Sequence, residues 1–356
     1  MSRTLLAATV TGALLTTTAL AEVPRVAADI APIHSLVARV MEGVGAPDLI
    51  VQPGGSPHEY ALRPSEASAL QEADVVFWVG SRLSPWLGEA VGTLAADAAV
   101  VELLRVDGTI TLESRRTALF EKHVHGEEDH EEHAGEAGHE DHAGHTDHAN
   151  HDEHEGHGDH AGHDDHADHD DHGDHDDHDD HAGHGDTTID SHAWLSTQNA
   201  ATWLNAIAGQ LSAVDPENAG AYFANAAAGR AELAALDAEV KTLLEPVRGA
   251  QFVVFHDAYQ YFESDFDFPA AGAISLSDAS DPSPARIGEI RTRIANEGID
   301  CVLAEPQFNA GLIATVMDGT QAATGVMDPL GSELDVGPAL YPQMIRNLAV
   351  TLTGCL

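Results

Sequence analysis

The sequence predicts an α/β fold of two lobes, each a parallel-type sheet with flanking helices, joined by one long linker helix. Short apolar runs alternate with amphipathic segments over residues 22–122, and the same alternation returns over residues 247–356. Between them, residues 215–246 carry one apolar stripe at helical spacing. Strands that alternate with helices indicate a parallel sheet covered on both faces.

The first 21 residues are predicted to be a cleavable signal peptide. Arg3 provides a positive start, an apolar run follows, and Ala19-Leu20-Ala21 fits a small-residue cleavage site. The apolar run has about 16 residues, which is short for a membrane span. We therefore expect the mature protein to begin near Glu22 and to be exported to the periplasm.

The N-terminal lobe is predicted to cover residues 22–214, with an insertion at 123–186. Strands are expected over 25–30, 49–52, 73–79 and 99–103. Helices are expected over 32–41, 64–72, 84–94 and 197–213. Because helix 197–213 directly follows the insertion, the inserted segment interrupts a lobe and does not separate two lobes.

The insertion consists almost entirely of histidine, acidic residues, alanine and glycine. Residues 123–184 hold 20 of the 24 histidines and 23 carboxylates, with no lysine or arginine. So few apolar residues predict disorder. An acidic linker that only adds solubility would not need histidine at a fixed period, whereas imidazole and carboxylate together bind divalent metals. We expect accessory, low-affinity metal ligands at every third residue: His139, His142, His145, His148, His151, His154, His157, His160, His163, His166, His169, His172, His175, His178, His181 and His184.

The whole chain is strongly acidic. It has 16 basic and 59 acidic residues, a formal charge of −43, of which −20 remains outside residues 123–184. Such a charge repels nucleic acid and anionic membranes and attracts cations. Nucleic acid is therefore excluded as a partner.

A linker helix over residues 215–246 and a C-terminal lobe over 247–356 complete the prediction. Asp215 is the expected N-cap and Pro216 the first helical residue. A helix of this length fits a bridge between lobes and an ordinary surface helix equally well. Strands are expected over 251–255, 270–276, 299–304 and 324–327, and helices over 257–262, 284–297, 311–320 and 337–353.

The two cysteines are predicted to form one structural disulfide. Cys301 and Cys355 are an even pair in an exported protein. The bond would close a loop of about 55 residues and add roughly 4 kcal/mol in the chain-entropy model.

Four histidines lie outside the insertion, and three of them are candidate metal ligands. His34 follows a proline at a helix start and is expected to be a packing residue. His58 lies in a turn after a strand, His192 follows the insertion, and His256 ends a strand. Asp328 also follows a strand. Because ligands of doubly wound sheets bind beyond the carboxyl ends of strands, these four side chains are expected to converge between the lobes.

The segments around these residues resemble a known family. The similar segments are Ser56–Ser65 (SPHEYALRPS), Asp190–Leu195 (DSHAWL), Phe255–Phe262 (FHDAYQYF), Cys301 with Glu305–Phe308, and Asp328–Gly331. They resemble ZnuA-type zinc-binding proteins, the substrate-binding components of zinc ABC transporters in the cluster A-I family. The resemblance covers the mature chain. It implies two lobes joined by a long helix, with the metal in the cleft between them.

The resemblance implies Zn²⁺ as the transported ligand, with His58, His192 and His256 as imidazole ligands and Asp328 as the fourth. A glutamate beside the first histidine or a water replaces the carboxylate in some members, so Glu59 and water stay open. Three imidazoles and a carboxylate suit zinc, whereas manganese prefers more oxygen ligands. Copper and nickel would also bind imidazoles. The implied partners are a zinc ABC permease, with a membrane subunit and a cytoplasmic ATPase, and a zinc metallochaperone. We expect a monomer.

Two other functions compete with zinc capture for transport. A secreted zinc-dependent hydrolase would use a similar ligand set, but the sequence has no H-E-x-x-H motif and no G-x-S-x-G turn. A histidine-rich metal buffer would not need two α/β lobes with ligands outside the insertion. We therefore predict a binding protein and not an enzyme.

Overall fold

The computed structural model describes residues 23–115, 117, 189–275, 283–307 and 310–356. The predicted signal peptide at 1–21 lies outside the described residues. So does the insertion at 123–186, with the sixteen accessory histidines assigned to it. In the part of the chain that is described, no helix has the length and apolar character needed to cross a membrane.

The chain forms two four-stranded parallel sheets, as the sequence predicts. The first contains β1 (Val26–Ala28), β2 (Asp48–Leu49), β3 (Val75–Trp78) and β4 (Ala99–Glu102) in the order β2-β1-β3-β4. The second contains β5 (Phe252–His256), β6 (Gly272–Ser275), β7 (Cys301–Ala304) and β8 (Ala323–Val326) in the order β6-β5-β7-β8. The two sheets therefore share one topology.

Nine helices surround these sheets in the described ranges. The N-terminal half has α1 (Ala31–Val40), α2 (Pro64–Glu72), α3 (Pro85–Leu94) and α4 (Thr197–Val214). The long helix is α5 (Ala219–Leu244), and α6 (Gln260–Phe266), α7 (Pro284–Glu297), α8 (Ala310–Met317) and α9 (Leu340–Cys355) follow. The central strands are apolar runs that are buried throughout, which is why they form the middle of sheets covered on both faces.

The predicted start of the long helix is wrong. The sequence suggests Asp215 as its N-cap, but α5 begins at Ala219 and Asn218 is the N-cap. Asp215 instead follows the last residue of α4, and its Oδ2 accepts hydrogen bonds from Asn218 Nδ2 and Tyr222 Oη, each at 2.7 Å. An Asp-Pro pair can begin a turn as readily as a helix, and here it forms the turn between the two helices.

Helix α5 joins the two halves of the chain, as the sequence predicts, and packs into a core that both halves share. One cluster of buried apolar residues contains side chains from both sheets and from α1, α4, α5 and α9. On its exposed side, Glu232 of α5 accepts two hydrogen bonds from Arg39 of α1, and Glu239 accepts two from Arg346 of α9. The division into lobes at 214/215 and 246/247 stays a prediction.

A disulfide bond joins Cys301 to Cys355, as the sequence predicts. Cys301 is the first residue of β7, and Cys355 is the last residue of α9. The bond closes a segment with a sequence separation of 54. It attaches the end of the last helix to a central strand of the second sheet.

Candidate metal centre

Three of the four predicted ligands come together. His58, His192 and His256 each place one ring nitrogen within 4.8 Å of the others, and we call them the histidine group. The Nε2 atoms of His192 and His256 are 3.3 Å apart. Two nitrogens bound to one tetrahedral zinc at 2.0–2.1 Å would be about 3.3–3.4 Å apart. The spacing of this pair therefore suits a shared metal ion.

The three histidines lie on different parts of the fold. His256 is the last residue of β5, and its side chain is buried. His192 directly precedes a single 3₁₀ turn, Ala193–Leu195, that leads into α4. His58 lies in the loop between β2 and α2 and is half-buried. The first histidine is thus on a loop, whereas the other two belong to packed elements.

The loop that carries His58 is held by the residue before it. The Pro57 carbonyl accepts hydrogen bonds from Ser84 Oγ and Trp86 Nε1, both at 2.8 Å. The backbone N–H of His58 donates to Ser56 Oγ at 3.2 Å. Pro57 cannot bind a metal through its side chain, but its carbonyl fixes the position of the histidine that follows.

Two buried carboxylates orient the buried imidazoles. Asp190 Oδ1 lies 2.7 Å from His192 Nδ1, and Glu305 Oε1 lies 2.6 Å from His256 Nδ1. An ionised carboxylate only accepts, so each Nδ1 carries the proton and each Nε2 presents a lone pair. Two lone pairs facing each other at 3.3 Å repel unless a proton or a metal cation lies between them. The arrangement therefore calls for a cation.

The sequence did not indicate either carboxylate, and the acidic residues that directly follow His58 and His256 do not take this role. Glu59 is exposed, and Asp257 Oδ1 instead accepts from Arg115 Nη1 at 2.7 Å. Burial raises the pKa of Asp257 to about 6, although the charge of Arg115 acts in the opposite direction. A signal for Glu305 did exist: it directly follows β7, which pairs with β5, the strand that ends at His256.

The fourth predicted ligand, Asp328, is not brought into the group. Its Oδ1 accepts from the backbone N–H of Leu330 at 3.0 Å and of Gly331 at 2.9 Å. Its Oδ2 accepts from the backbone N–H of Ser332 at 2.6 Å and from Ser332 Oγ at 2.7 Å. These four bonds turn the carboxylate toward its own loop, and the geometry therefore departs from the expected ligand role.

His34 has the structural role expected from the sequence. It is buried in α1, and its Nε2 lies 3.0 Å from the Pro47 carbonyl oxygen. Burial lowers its pKa, so the imidazole is held in its neutral form. Among the residues that the structure describes, the histidine group contains neither His34 nor a carboxylate.

A cavity of about 160 Å³ borders the histidine group. Besides the three histidines, its walls include two arginines, Arg82 and Arg115. Arg82 Nε donates to the Ile189 carbonyl at 3.2 Å, and Arg115 bonds Asp257 and Glu263. The metal centre therefore has positively charged side chains beside it, which the sequence alone did not indicate.

Comparisons with known proteins identify the family of this chain. The family model ZnuA, described as zinc-uptake complex component A periplasmic, matches residues 26–355. The high-affinity zinc uptake system protein ZnuA of Brucella abortus (strain 2308) is 47% identical over 331 residues, 93% of this chain and 91% of that protein. The protein of the same name from Paracoccus denitrificans (strain Pd 1222) is 45% identical over 337 residues, 94% of this chain and 93% of that one.

A solved crystal structure of ZnuA has the same fold, with a TM-score of 0.65 and 19% identity, covering 94% of this chain and 99% of the other. The family match extends from the first residue of β1 to the last residue of α9. The chain therefore belongs to the ZnuA family, the periplasmic component A of zinc-uptake complexes.

Proposed function

We propose that this protein captures Zn²⁺ in the periplasm with high affinity and delivers it to an ABC permease for uptake. Zinc is the transported ligand, and the protein is a solute-binding component and not an enzyme. The relatives at 47% and 45% identity are high-affinity zinc uptake system proteins. ZnuA-type proteins work with a membrane permease and its ATPase, which are the partners we assign to this chain.

The observation that carries the proposal is the pair of Nε2 atoms, 3.3 Å apart, on imidazoles whose Nδ1 atoms are bonded to carboxylates. Histidines oriented in this way are the usual ligands of zinc in proteins. His58 contributes the third imidazole. A nitrogen-rich site favours zinc over manganese, which prefers oxygen ligands.

The fourth position of the zinc is best filled from outside the protein. Asp328 is engaged by four hydrogen-bond donors, and Glu59 is exposed. Water was the remaining alternative, and the cavity beside the histidine group has room for it. An open position also permits ligand exchange, so a zinc metallochaperone is a suitable second partner.

Export by a cleavable signal peptide at residues 1–21 and a monomeric state complete the proposal. The family is periplasmic, which agrees with export. A formal charge of −43 makes two copies repel each other, which favours a monomer. Light scattering after size exclusion would measure the monomer mass, and mass spectrometry of the mature protein would identify its first residue.

Calorimetric titration of Zn²⁺ into the protein lacking residues 123–186 tests the site. We expect one tight site that is lost in His58→Ala and in His256→Ala. His34→Gln is the matched control, because it replaces a buried histidine outside the group and should leave binding unchanged. Complete loss of binding on removal of the insertion would refute the proposal and favour the metal buffer. Hydrolysis of an ester or peptide by the zinc form would favour the hydrolase.

Delivery requires a second measurement. Uptake of radioactive zinc into vesicles that contain the permease and ATPase should depend on the zinc-loaded protein. The His58→Ala variant, loaded with the same total zinc, should support little uptake. Equal uptake with both proteins would show that the histidine group does not deliver the metal.

A further inference from the structure

The wall of the cavity beside the histidine group contains a guanidinium, close to the position proposed for zinc. Arg82 lines the cavity together with the three histidines. Three imidazoles leave one position of a tetrahedral zinc without a ligand from the described residues. We propose that this position takes a small monovalent anion, a carboxylate or a halide, held in the cavity by the Arg82 guanidinium. This inference rests on the proposed function, because it requires zinc on the three histidines.

Arg82 differs from the other arginine of the cavity in its partners. Its Nε donates to the Ile189 carbonyl at 3.2 Å, and it forms no ion pair with a carboxylate among the residues the structure describes. The side chain is half-buried. The two aspartates of the same wall, Asp190 and Asp257, are bonded to His192 and Arg115. A guanidinium without a carboxylate of its own beside a divalent metal opposes metal binding, since like charges repel strongly where water is scarce. An anion between the two attracts both and removes that penalty.

Arg115 lines the same cavity but does not require an added anion. Its Nη1 donates to Asp257 Oδ1 at 2.7 Å, and its Nη2 donates to Glu263 Oε2 at 2.7 Å. Both carboxylates are buried. Two negative charges therefore already accompany the single charge of Arg115. Of the two arginines in the cavity wall, only Arg82 has no carboxylate partner among the described residues.

The size and the hydroxyl groups of the cavity define the class of anion. A volume of about 160 Å³ holds several water molecules or an ion such as formate, acetate or chloride. Ser114 and Ser191 also line it and supply hydroxyl donors. A guanidinium binds a carboxylate with two parallel N–H donors, so small carboxylates should bind more tightly than halides.

Arg82 is also held close to the imidazoles by the chain itself. Ile189, whose carbonyl it contacts, precedes Asp190, and Asp190 orients the His192 ring at 2.7 Å. Glu113 and Ile189 form an antiparallel bridge, which holds this segment in place. The guanidinium is therefore attached to the same short segment that presents one of the metal ligands.

Cobalt spectroscopy on the full chain tests the inference. One equivalent of Co²⁺ is added, and the visible absorption bands are recorded while chloride or formate replaces perchlorate at constant ionic strength. The same titration of His58→Ala is subtracted to remove metal bound elsewhere. We expect a saturable change of the bands, with formate acting at lower concentration than chloride.

In Arg82→Gln, the anion concentration at half-saturation should rise roughly tenfold to a hundredfold, because a charge-assisted contact is lost. Arg82→Lys should restore part of the response, and Arg105→Gln, which removes an exposed arginine, should match the unaltered protein. Bands that do not respond to either anion, or that respond equally in Arg82→Gln, would overturn the inference and leave water as the fourth ligand. Bands identical in the unaltered protein and His58→Ala before any anion is added would instead refute the histidine site, and with it the proposed function.

Discussion

Replacing Asp328 by alanine should destabilise the protein without removing a metal ligand. The substitution deletes four hydrogen bonds, from three backbone N–H groups and the Ser332 hydroxyl. A single hydrogen bond to a charged group contributes about 1.5–3 kcal/mol, but the four share one loop and are not additive. We expect a loss of about 2–4 kcal/mol in the free energy of unfolding, or about 5–10 °C in melting temperature.

The zinc affinity of Asp328→Ala should change by less than about threefold. A true ligand would behave differently, because a zinc site of roughly 10–16 kcal/mol with four ligands would lose about 3 kcal/mol, or a hundredfold in affinity. The affinity of Asp328→Ala should still change slightly, because the Asp328 loop contacts the His192 segment. Trp194 Nε1 donates to the Pro329 carbonyl at 2.7 Å.

The assay compares thermal melting of the metal-free protein with zinc affinity measured against a competing chelator. Asp328→Asn keeps an acceptor oxygen and should retain more stability than the alanine variant, whereas a lost ligand would weaken zinc binding in both. Asp335→Ala is the matched control, since Asp335 is an exposed aspartate in the same region. An unchanged melting temperature with a hundredfold loss of zinc affinity would refute the reasoning and establish Asp328 as the ligand.

Three further predictions concern other parts of the molecule. Glu305→Gln should weaken zinc binding about 10- to 100-fold in a chelator competition, because it removes the charge that orients His256. The control Glu217→Gln, which changes an exposed glutamate, should leave the zinc affinity unchanged. Equal affinities of the two variants would contradict the role of Glu305. Cys355→Ser should lower the free energy of unfolding in denaturant by about 4 kcal/mol, and a reductant should remove the difference between the two proteins; a difference that persists in reductant would have another cause. Burial raises the pKa of Asp29 to about 7 from 3.8, so between these pH values the folded protein binds a proton that the unfolded chain releases. The free energy of unfolding should therefore fall by up to about 4 kcal/mol as pH rises from about 4 to 7. Asp29→Asn should flatten this part of the stability profile, and an unchanged profile would show that the carboxyl titrates normally.

The sheets could be predicted from the sequence because their central strands are continuous apolar runs. Strands β3 (VVFW) and β5 (FVVFH) are buried at every position. A short continuous apolar run is typical of a strand in a parallel sheet that is covered on both faces. The helix over 64–72 and the helix over 284–297 are confirmed at both ends, since each begins with a proline at a position that favours a helix start. The edge strand β2 covers only two residues, whereas the sequence predicts a strand over 49–52.

The sequence predicts the three histidines of the candidate site but not the orientation of Asp328. His58, His192 and His256 could be predicted as candidates because each lies at the end of a strand or at a junction, where parallel folds place their ligands. Asp328 has the same position in the sequence, yet its side chain bonds the N–H groups of the loop that follows. An aspartate before Pro-Leu-Gly is also a turn-forming residue, and a pattern does not show which way a carboxylate points.

Glu305 and Arg82 were missed for a related reason. Each acts through a contact that joins segments far apart in the chain, Glu305 with His256 and Arg82 with Ile189. The sequence separations are 49 and 107 residues. Spacing rules relate residues on one element, so contacts of this kind become visible only when the fold brings the elements together.

The distribution of the three imidazoles over loop and core indicates where zinc exchange takes place. The two lobes share one buried core through α1, α5 and α9, and Tyr341 of α9 donates from its backbone N–H to Ser35 Oγ of α1 at 2.9 Å. A large rotation of one lobe against the other would expose that core and break such contacts, which is costly in water. His192 and His256 are buried and bonded to buried carboxylates, whereas His58 is half-buried on a loop. Moving the His58 loop breaks the hydrogen bonds of the Pro57 carbonyl to Ser84 and Trp86, whereas moving either buried imidazole separates it from a buried carboxylate. We therefore expect zinc exchange to begin at the His58 loop.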